Sequence, residues 1–399
     1  MMRYSIPLRW RVLRVLRRWF NHAADLVRIP VRRPDVLLVT GNASPAKAME
    51  VEARLRFLLT HVDNTLEIRS VQWAPPLAYI RNTAVVAADA TAVPEFARRH
   101  LEWVADLDYE TNPRDGGALM DLGVEITRMT RGPRRKSIEN ARQIFVDHVN
   151  RLILDGPRPV YVFGTGPSLQ LAGERSFADG TAIVCNTIVR DPGLWHHLAP
   201  AFLTASDAIY HFDHTPHARA FRADALRRLQ ESNGRTLFVY PAQFDVIVRS
   251  EFREVLSLLV PIPYGEHTDI TVDLTQRFCL PRIGNILNVL LLPLACTLGS
   301  DVRLWGFDGR APSDSGFWSN SGRQAYPELM QSIRDAHPAF FAENIPEGNE
   351  VQYVKHVHGD LLDFRLAEAE RRGFQFRMLH PSWTPTLQKR FLEGRPAQE

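Results

Sequence analysis

A glycine-rich turn is the first stretch of this sequence whose residue types and spacing could do chemistry. Residues 164–168 (GTGPS) directly follow the apolar run 160–163. Glycines let backbone N–H groups approach an anion at a helix N-terminus, where the helix dipole favours negative charge. Ser168 either caps that helix or donates to a phosphate. The turn predicts a phosphate-binding edge, although it meets neither the dinucleotide nor the P-loop pattern; the alternative is a tight strand-to-helix turn that binds nothing.

Polar residues also follow the predicted strands at 182–185, 201–204 and 302–305. The carboxyl ends of parallel strands share one edge of a sheet, and ligands of α/β proteins bind at that edge. We therefore expect a common site to include the residues that end these strands: Asn186, Thr187, Ser206, Asp207 and Asp308.

Arg282 and Asn285 open a leucine-rich run that predicts a helix at 282–299. Packing alone explains the leucines. The N-terminus of this helix would face the same edge as the glycine-rich turn, so contact with a phosphate or a sugar carboxylate is expected there.

Two late histidines, His356 and His358, precede a predicted helix at 360–372. Histidine suits a general base because its ordinary pKa lies near neutrality. The alternative is that either one caps or packs against that helix.

A second group of histidines has a composition that metal sites share. It consists of His211, Asp213, His214 and His217. The spacing matches no ligand motif, and a polar loop is the simpler interpretation, so we predict no metal site.

The elements that position these residues alternate between strands and helices. This rhythm predicts an α/β fold with a Rossmann-like parallel sheet, preceded by a smaller α/β domain. We predict that the chain is divided into three segments: a basic amphipathic helix at 1–30, an N-terminal α/β domain with its linker at 31–135, and the domain that carries the site at 136–399. Within them we predict a helix at 93–107, a linker at 108–135 and a long polar lid or disordered segment at 309–350.

Residues 8–27 interleave arginines with Trp and Phe at helical spacing. One interpretation is peripheral contact with an anionic membrane surface; the other is a helix packed on the domain behind it. The pattern does not decide between them.

Composition excludes several classes of protein. The 48 Lys and Arg nearly balance the 45 Asp and Glu, and no motif for nucleic-acid binding is present. The three cysteines lie in apolar runs and are typical of buried thiols in a reducing compartment. The longest apolar run is too short to cross a bilayer. We predict a cytoplasmic protein, with the inner membrane surface as the site of any peripheral contact. Formation of a homo-oligomer is left as an open question, since nothing in the sequence decides the oligomeric state.

The order of five short motifs resembles that of the bacterial sialyltransferase family with a single Rossmann-like domain. In chain order they are GTGPSL, CNT, PRIGN, LWGFDG and the late histidine. The sequence is also similar to the related flagellin-modifying transferases, which share the Gly-x-Gly-Pro-Ser start. The likeness spans about residues 158–385.

This resemblance implies a GT-A-like variant of the Rossmann-like domain that needs no cofactor or metal. It implies transfer of an acidic sugar from a CMP-activated donor to a glycan hydroxyl, with inversion. His358 is implied as the general base, with Asp363 following at the family's distance. The implied nucleotide-sugar-binding residues are Gly164, Thr165, Gly166, Ser168, Asn186, Thr187, Ser206, Arg282, Asn285 and Asp308.

Some positions depart from the family's pattern. Thr165 stands where the family has asparagine, and the two leaving-group tyrosines fall near Arg310 and near residues 317–318. A guanidinium brings full charge and a planar fork to a phosphate. Arg310 is therefore predicted to stabilise the leaving group, and Tyr326 is the alternative.

Two other functions are open. A Mg²⁺-dependent phosphotransfer or pyrophosphokinase-like enzyme would need carboxylates, for which Asp207 and Asp308 are the candidates. A non-catalytic nucleotide-binding protein of glycan assembly is the third hypothesis.

Overall fold

The computed structural model describes residues 35–75, 78–131, 135–154, 156–309, 311, 325–344 and 359–391. They form two compact units. The N-terminal unit contains the described residues up to 131 together with His337–Phe340, and the C-terminal unit contains the others from 135 onward. The predicted base His358 and the predicted Arg310 lie outside the described residues, as does the basic segment 8–27.

The N-terminal unit is built on a parallel sheet with the strand order β2-β1-β3-β4. The central strands β1 and β3 are entirely buried, as their apolar sequences predict. Its strands are β1 Val36–Val39, β2 Ile68–Val71, β3 Ala84–Ala87 and β4 Val104–Asp106, and its helices are α1 Pro45–Val62, α2 Ala78–Arg81, α3 Glu95–His100 and α4 Asp115–Arg131.

Two predictions for this unit were wrong. The expected helix at 93–107 is the short helix α3 followed by strand β4, because Val104 and Ala105 pair with β3 at the edge of the sheet. The expected linker at 108–135 contains the helix α4. The paired glycines 116 and 117 occupy only its first turn, where helix propensity matters least, and the buried Leu122 and Ile126 follow at helical spacing.

A buried cluster of charged and polar side chains ties this unit together. Asp115 accepts from Arg54 Nη1 at 2.5 Å and lies 2.7 Å from His337 Nδ1 through the same oxygen, Oδ2. Arg54, Asp115 and His337 are each at most 1% exposed. Buried charges attract each other strongly. Each of them is costly to remove from water, however, and only the charge of its partner offsets that cost.

The C-terminal unit contains a seven-stranded sheet in the order β11-β10-β5-β6-β7-β8-β9. All its pairings are parallel, which confirms the predicted Rossmann-like α/β fold. The strands are β5 Val160–Phe163, β6 Thr181–Cys185, β7 Phe202–Thr204, β8 Leu237–Pro241, β9 Leu259–Ile262, β10 Asp301–Trp305 and β11 Gln375–Met378.

Helices cover both faces of this sheet. Alternate strand residues such as Val160 and Val162 join one core with α5, α9 and α12, whereas Phe238 and Tyr240 face aromatic residues of the other side. The period of two along each strand produces this division. The helices of this unit are α5 Arg135–Ile153, α6 Pro192–Leu198, α7 Pro216–Glu231, α8 Asp245–Glu251, α9 Leu292–Leu298, α10 Met330–Ala336, α12 Leu361–Arg371 and α13 Pro385–Gln388. The first three residues of the helix α11 Pro338–Asn344 belong to the N-terminal unit and the others to the C-terminal unit.

The long polar segment predicted at 309–350 is partly helical, because α10 and α11 fall inside it. Tyr326, just before α10, is 3% exposed, and its hydroxyl donates to Asp224 of α7 at 2.6 Å. This anchor was not visible in the composition, which is dominated by Gly, Pro and Ser.

Among the described residues, no helix combines the length and hydropathy that a membrane-crossing segment needs.

Burial of His211 predicts a loss of stability in acid. The side chain is 3% exposed, and burial lowers its pKa from 6.5 to about 3. Between these two pKa values, His211 binds a proton in the unfolded chain but not in the folded chain. This group therefore lowers the free energy of unfolding by about 2 kcal/mol as the pH falls from 7 to 5. Urea unfolding at the two pH values should show a smaller loss in His211→Phe than in the unmodified protein. Above pH 8 the difference between the two proteins should be constant, and an unchanged acid loss in the variant would contradict the assignment.

Candidate functional site

The carboxyl ends of the strands of the C-terminal unit lie along one edge of its sheet. From β5 the chain proceeds through β9 in one direction, and β10 and β11 are added on the other side of β5. The crevice between β5 and β10 is thus the topological switch point, where open α/β sheets bind ligands. The register pairs Phe163 with Trp305, so the two following loops leave the sheet side by side.

These two loops, 164–168 and 306–309, are in backbone contact. Gly164 N–H donates to the Trp305 carbonyl and Gly166 N–H donates to the Gly306 carbonyl, both at 2.8 Å. A Cβ atom on Gly306 would lie 2.3 Å from the Gly164 oxygen, and Gly306 has a φ of +76°. The glycines at 164 and 306 are therefore required by the contact between the loops.

Ser168 is bound to Asp308 across this contact. Its backbone N–H and its hydroxyl donate to the two oxygens of the Asp308 carboxylate at 3.1 and 2.9 Å. The helix that begins at Pro167 is a 3₁₀ helix, Pro167–Glu174. An internal carboxylate thus occupies the donors that the sequence assigned to a cap or to a phosphate.

The ends of β6 and β7 lie beside the crevice in the register of the sheet. Since Phe163 pairs with Val184 and Cys185 pairs with Thr204, Asn186 and Ser206 follow at the same edge. Asn186 has a φ of +53°, and its Oδ1 is buried without a partner in the described part of the chain. A left-handed asparagine with an unsatisfied oxygen at this edge is typical of a functional position.

Asp207 and Thr187, the neighbouring predicted residues, are placed differently. The Asp207 carboxylate accepts from the N–H groups of Ile209 and Tyr210 and caps the π-helical turn Ala208–Phe212. Thr187 is buried in the 3₁₀ turn Asn186–Arg190. Asp207 therefore has a structural role that explains its presence without a metal ion.

Asn285 stands at the start of the leucine-rich helix, as predicted. Its φ is +72°, and its Oδ1 accepts from Leu287 N–H at 2.8 Å, which starts the π-helical turn Leu287–Leu291 that continues into α9. Arg282 is largely exposed and lies 3.6 Å from Glu266. Asn285 is thus used as a cap, while the Arg282 guanidinium is accessible to an anion.

Two further residues named from the sequence have structural partners. Asp363, on α12, accepts from Thr386 and Arg390, and the Thr386 hydroxyl is the main cause of a lowered Asp363 pKa. Tyr326 is held by Asp224, and burial is the main cause of its raised pKa. In this arrangement the Tyr326 phenol is a donor to Asp224.

The histidine cluster at 211–217 is accounted for by hydrogen bonds and packing. His217 lies 3.0 Å from the Tyr210 carbonyl oxygen, and His214 binds its neighbour Asp213. Within the described ranges no group of three or more His, Cys, Asp or Glu side chains has metal-binding geometry.

Sequence reasoning missed His380, which follows β11 at the same edge. Its ring lies 4.2 Å from that of Trp305, whose Nε1 donates to the Ser168 carbonyl at 2.8 Å. The predicted strand ended at 379, and this histidine belongs to none of the recognised motifs. The signal that could have located it is its position directly after a strand of a parallel sheet.

The parallel sheet of the C-terminal unit, with its topological switch point between β5 and β10, places this unit in the class of open parallel α/β folds. Searches of protein-family models, of curated proteins and of solved structures found no match to this chain.

Proposed function

We propose that this protein is an inverting glycosyltransferase that uses a CMP-activated acidic sugar and a glycan hydroxyl as acceptor. The observation that supports it best is the meeting of the loops 164–168 and 306–309 at the switch point, with polar residues of β6 and β7 along the same edge. Nucleotides bind at this position in open α/β sheets. The choice of donor comes from the motif resemblance.

The chemistry assigned to the site has three parts. Backbone N–H groups and the Asn186 amide would hold the nucleotide, and the Arg282 guanidinium, which is largely exposed, would bind an anionic part of the donor. A positive group, for which Arg310 is the sequence candidate, would stabilise the departing phosphate. A histidine would accept the acceptor proton as the new bond forms.

The two hydrogen bonds from Ser168 to Asp308 restrict where a phosphate can bind. A phosphate cannot take the Ser168 donors while the Asp308 carboxylate holds both of them, since like charges repel at such distances. The sugar and base are therefore assigned to the β6 and β7 ends, and the phosphate to the arginines. A metal ion is not needed for this arrangement.

A thermal-shift titration tests the proposed function. Purified protein is titrated with CMP, UDP, GDP, ATP and NAD, each with and without Mg²⁺, because a ligand of the folded state raises the melting temperature by mass action. We expect stabilisation by CMP without Mg²⁺, equivalent to about 2.7 kcal/mol at a CMP concentration one hundred times Kd. Stabilisation by ATP only with Mg²⁺, and not by CMP, would replace the proposal with phosphotransfer. No stabilisation by any nucleotide would contradict both.

A further inference from the structure

His380 is placed beside the crevice by its contact with Trp305. The two rings meet edge to face, with an interplanar angle of 73°. Trp305 is 4% exposed and is fixed from its other end by the hydrogen bond to Ser168. The indole of Trp305 therefore contacts both the His380 imidazole and the backbone of Ser168 in the loop at 164–168.

The chain after β11 is held against the end of β10 over several residues. Leu379 N–H donates to the Leu304 carbonyl at 3.0 Å, Ser382 Oγ donates to the Phe307 carbonyl at 2.7 Å, and Trp383 N–H donates to the Asp308 carbonyl at 2.6 Å. His380 lies between these anchors, so its backbone is fixed relative to the crevice. A reacting group must be fixed in this way to be effective.

The imidazole is available for a ligand. His380 is partly exposed, and neither of its ring nitrogens has a hydrogen-bond partner among the residues that the structure describes. Three described histidines that follow β7 at this edge are occupied or enclosed: His211 is buried, and His214 and His217 have hydrogen bonds.

The surroundings of His380 favour its neutral form. Partial burial lowers its pKa below 6.5, Arg175 acts in the same direction, and the Asp308 carboxylate opposes them in part. A neutral imidazole at pH 7 has a free electron pair for a proton.

We propose that His380 is the proton acceptor of the transfer reaction, in place of the late histidine at 358 that the motif order suggests. The inference rests on the proposed function and names the residue that would deprotonate the acceptor. In the step, the acceptor oxygen bonds to the anomeric carbon of the sugar. The bond from that carbon to the phosphate oxygen breaks, its electron pair leaves with CMP, and the hydroxyl proton passes to an imidazole nitrogen of His380.

Chemical footprinting of the full chain tests the placement of His380. Diethylpyrocarbonate modifies accessible neutral imidazoles, and mass spectrometry reads each histidine separately. CMP at ten times its Kd should slow modification of His380 about tenfold. His196, which is 57% exposed on α6, is the internal control and should be modified at an unchanged rate.

Catalysis is tested by release of CMP from CMP-N-acetylneuraminic acid, with water as the acceptor. His380→Asn should lower kcat about 100-fold or more, the usual effect of losing a general base, while CMP still raises its melting temperature. His196→Asn, the control, should keep the unmodified kcat, and His358→Asn is measured beside it. Retention of CMP-dependent stabilisation shows that the His380 variant is folded.

The outcomes separate this inference from the proposed function. CMP stabilisation without protection of His380, or an active His380→Asn variant, overturns the assignment of the base alone. A loss of kcat in His358→Asn with an active His380→Asn variant assigns the base to His358 instead. Absence of CMP stabilisation overturns the proposed function and this inference together.

Discussion

Replacing Gly306 with alanine is expected to destabilise the C-terminal unit by at least about 3 kcal/mol and to abolish stabilisation by CMP. The new Cβ would lie 2.3 Å from the Gly164 oxygen and 2.8 Å from its carbonyl carbon, and the backbone φ of +76° is itself unfavourable for alanine. Because the colliding atoms are backbone, relief requires the loops at 164–168 and 306–309 to separate. Urea unfolding and a CMP thermal shift measure the two effects.

The matched control is Gly173→Ala, in the helical turn that follows the first of these loops. A Cβ at Gly173 meets no atom within 4 Å, so its stability should change by no more than about 0.5 kcal/mol. A Gly306→Ala protein that melts like the unmodified protein would show that the loops are not packed as described.

Replacing Asp115 with alanine is expected to cost the N-terminal unit about 3 kcal/mol, because it removes the buried carboxylate that Arg54 and His337 share. Arg54 is 1% exposed and would lose its short buried pair while keeping its longer pair with Glu50 and its stacking on Tyr109. The midpoint of urea unfolding, followed by circular dichroism, measures the loss.

Glu52→Ala, in the helix α1 that also carries Arg54, provides the comparison. Glu52 pairs with Arg56 at the surface, where the arginine side chain is 67% exposed, so its removal should cost no more than about 0.5 kcal/mol. Equal losses in the two variants would mean that burial does not strengthen the Asp115 interactions.

The sequence predicted the architecture better than it predicted the site. Apolar runs such as 160–163 and 182–185 form buried central strands, since a strand that is covered on both faces needs apolar residues at nearly every position. Glycine signals were less reliable. Glycines 116 and 117 suggested a linker and lie in a helix, whereas Gly164 suggested a phosphate turn and is in backbone contact with the loop that contains Gly306.

Contacts between residues distant in the chain explain why much of the candidate site could not be predicted from the sequence. Ser168 and Asp308 are 140 residues apart in the chain, and no local pattern indicates that the carboxylate takes both Ser168 donors. His380 was missed for the same reason, since its partner Trp305 belongs to another strand. A sequence motif relates each residue to its neighbours in the chain. In the folded protein, Ser168, Asp308 and His380 instead contact residues that are distant in the chain.

The position of β10 next to β5 sets the time at which the crevice can form during synthesis. Strands β5 to β9 leave the ribosome in the order in which they lie in the sheet, and each can pair with the one before it. Strand β10 emerges about 140 residues after β5 and must then cross back to pair with it. Closing so long a loop is slow. The nascent chain therefore exposes one edge of β5 until residues 301–305 have left the ribosome and can pair with it.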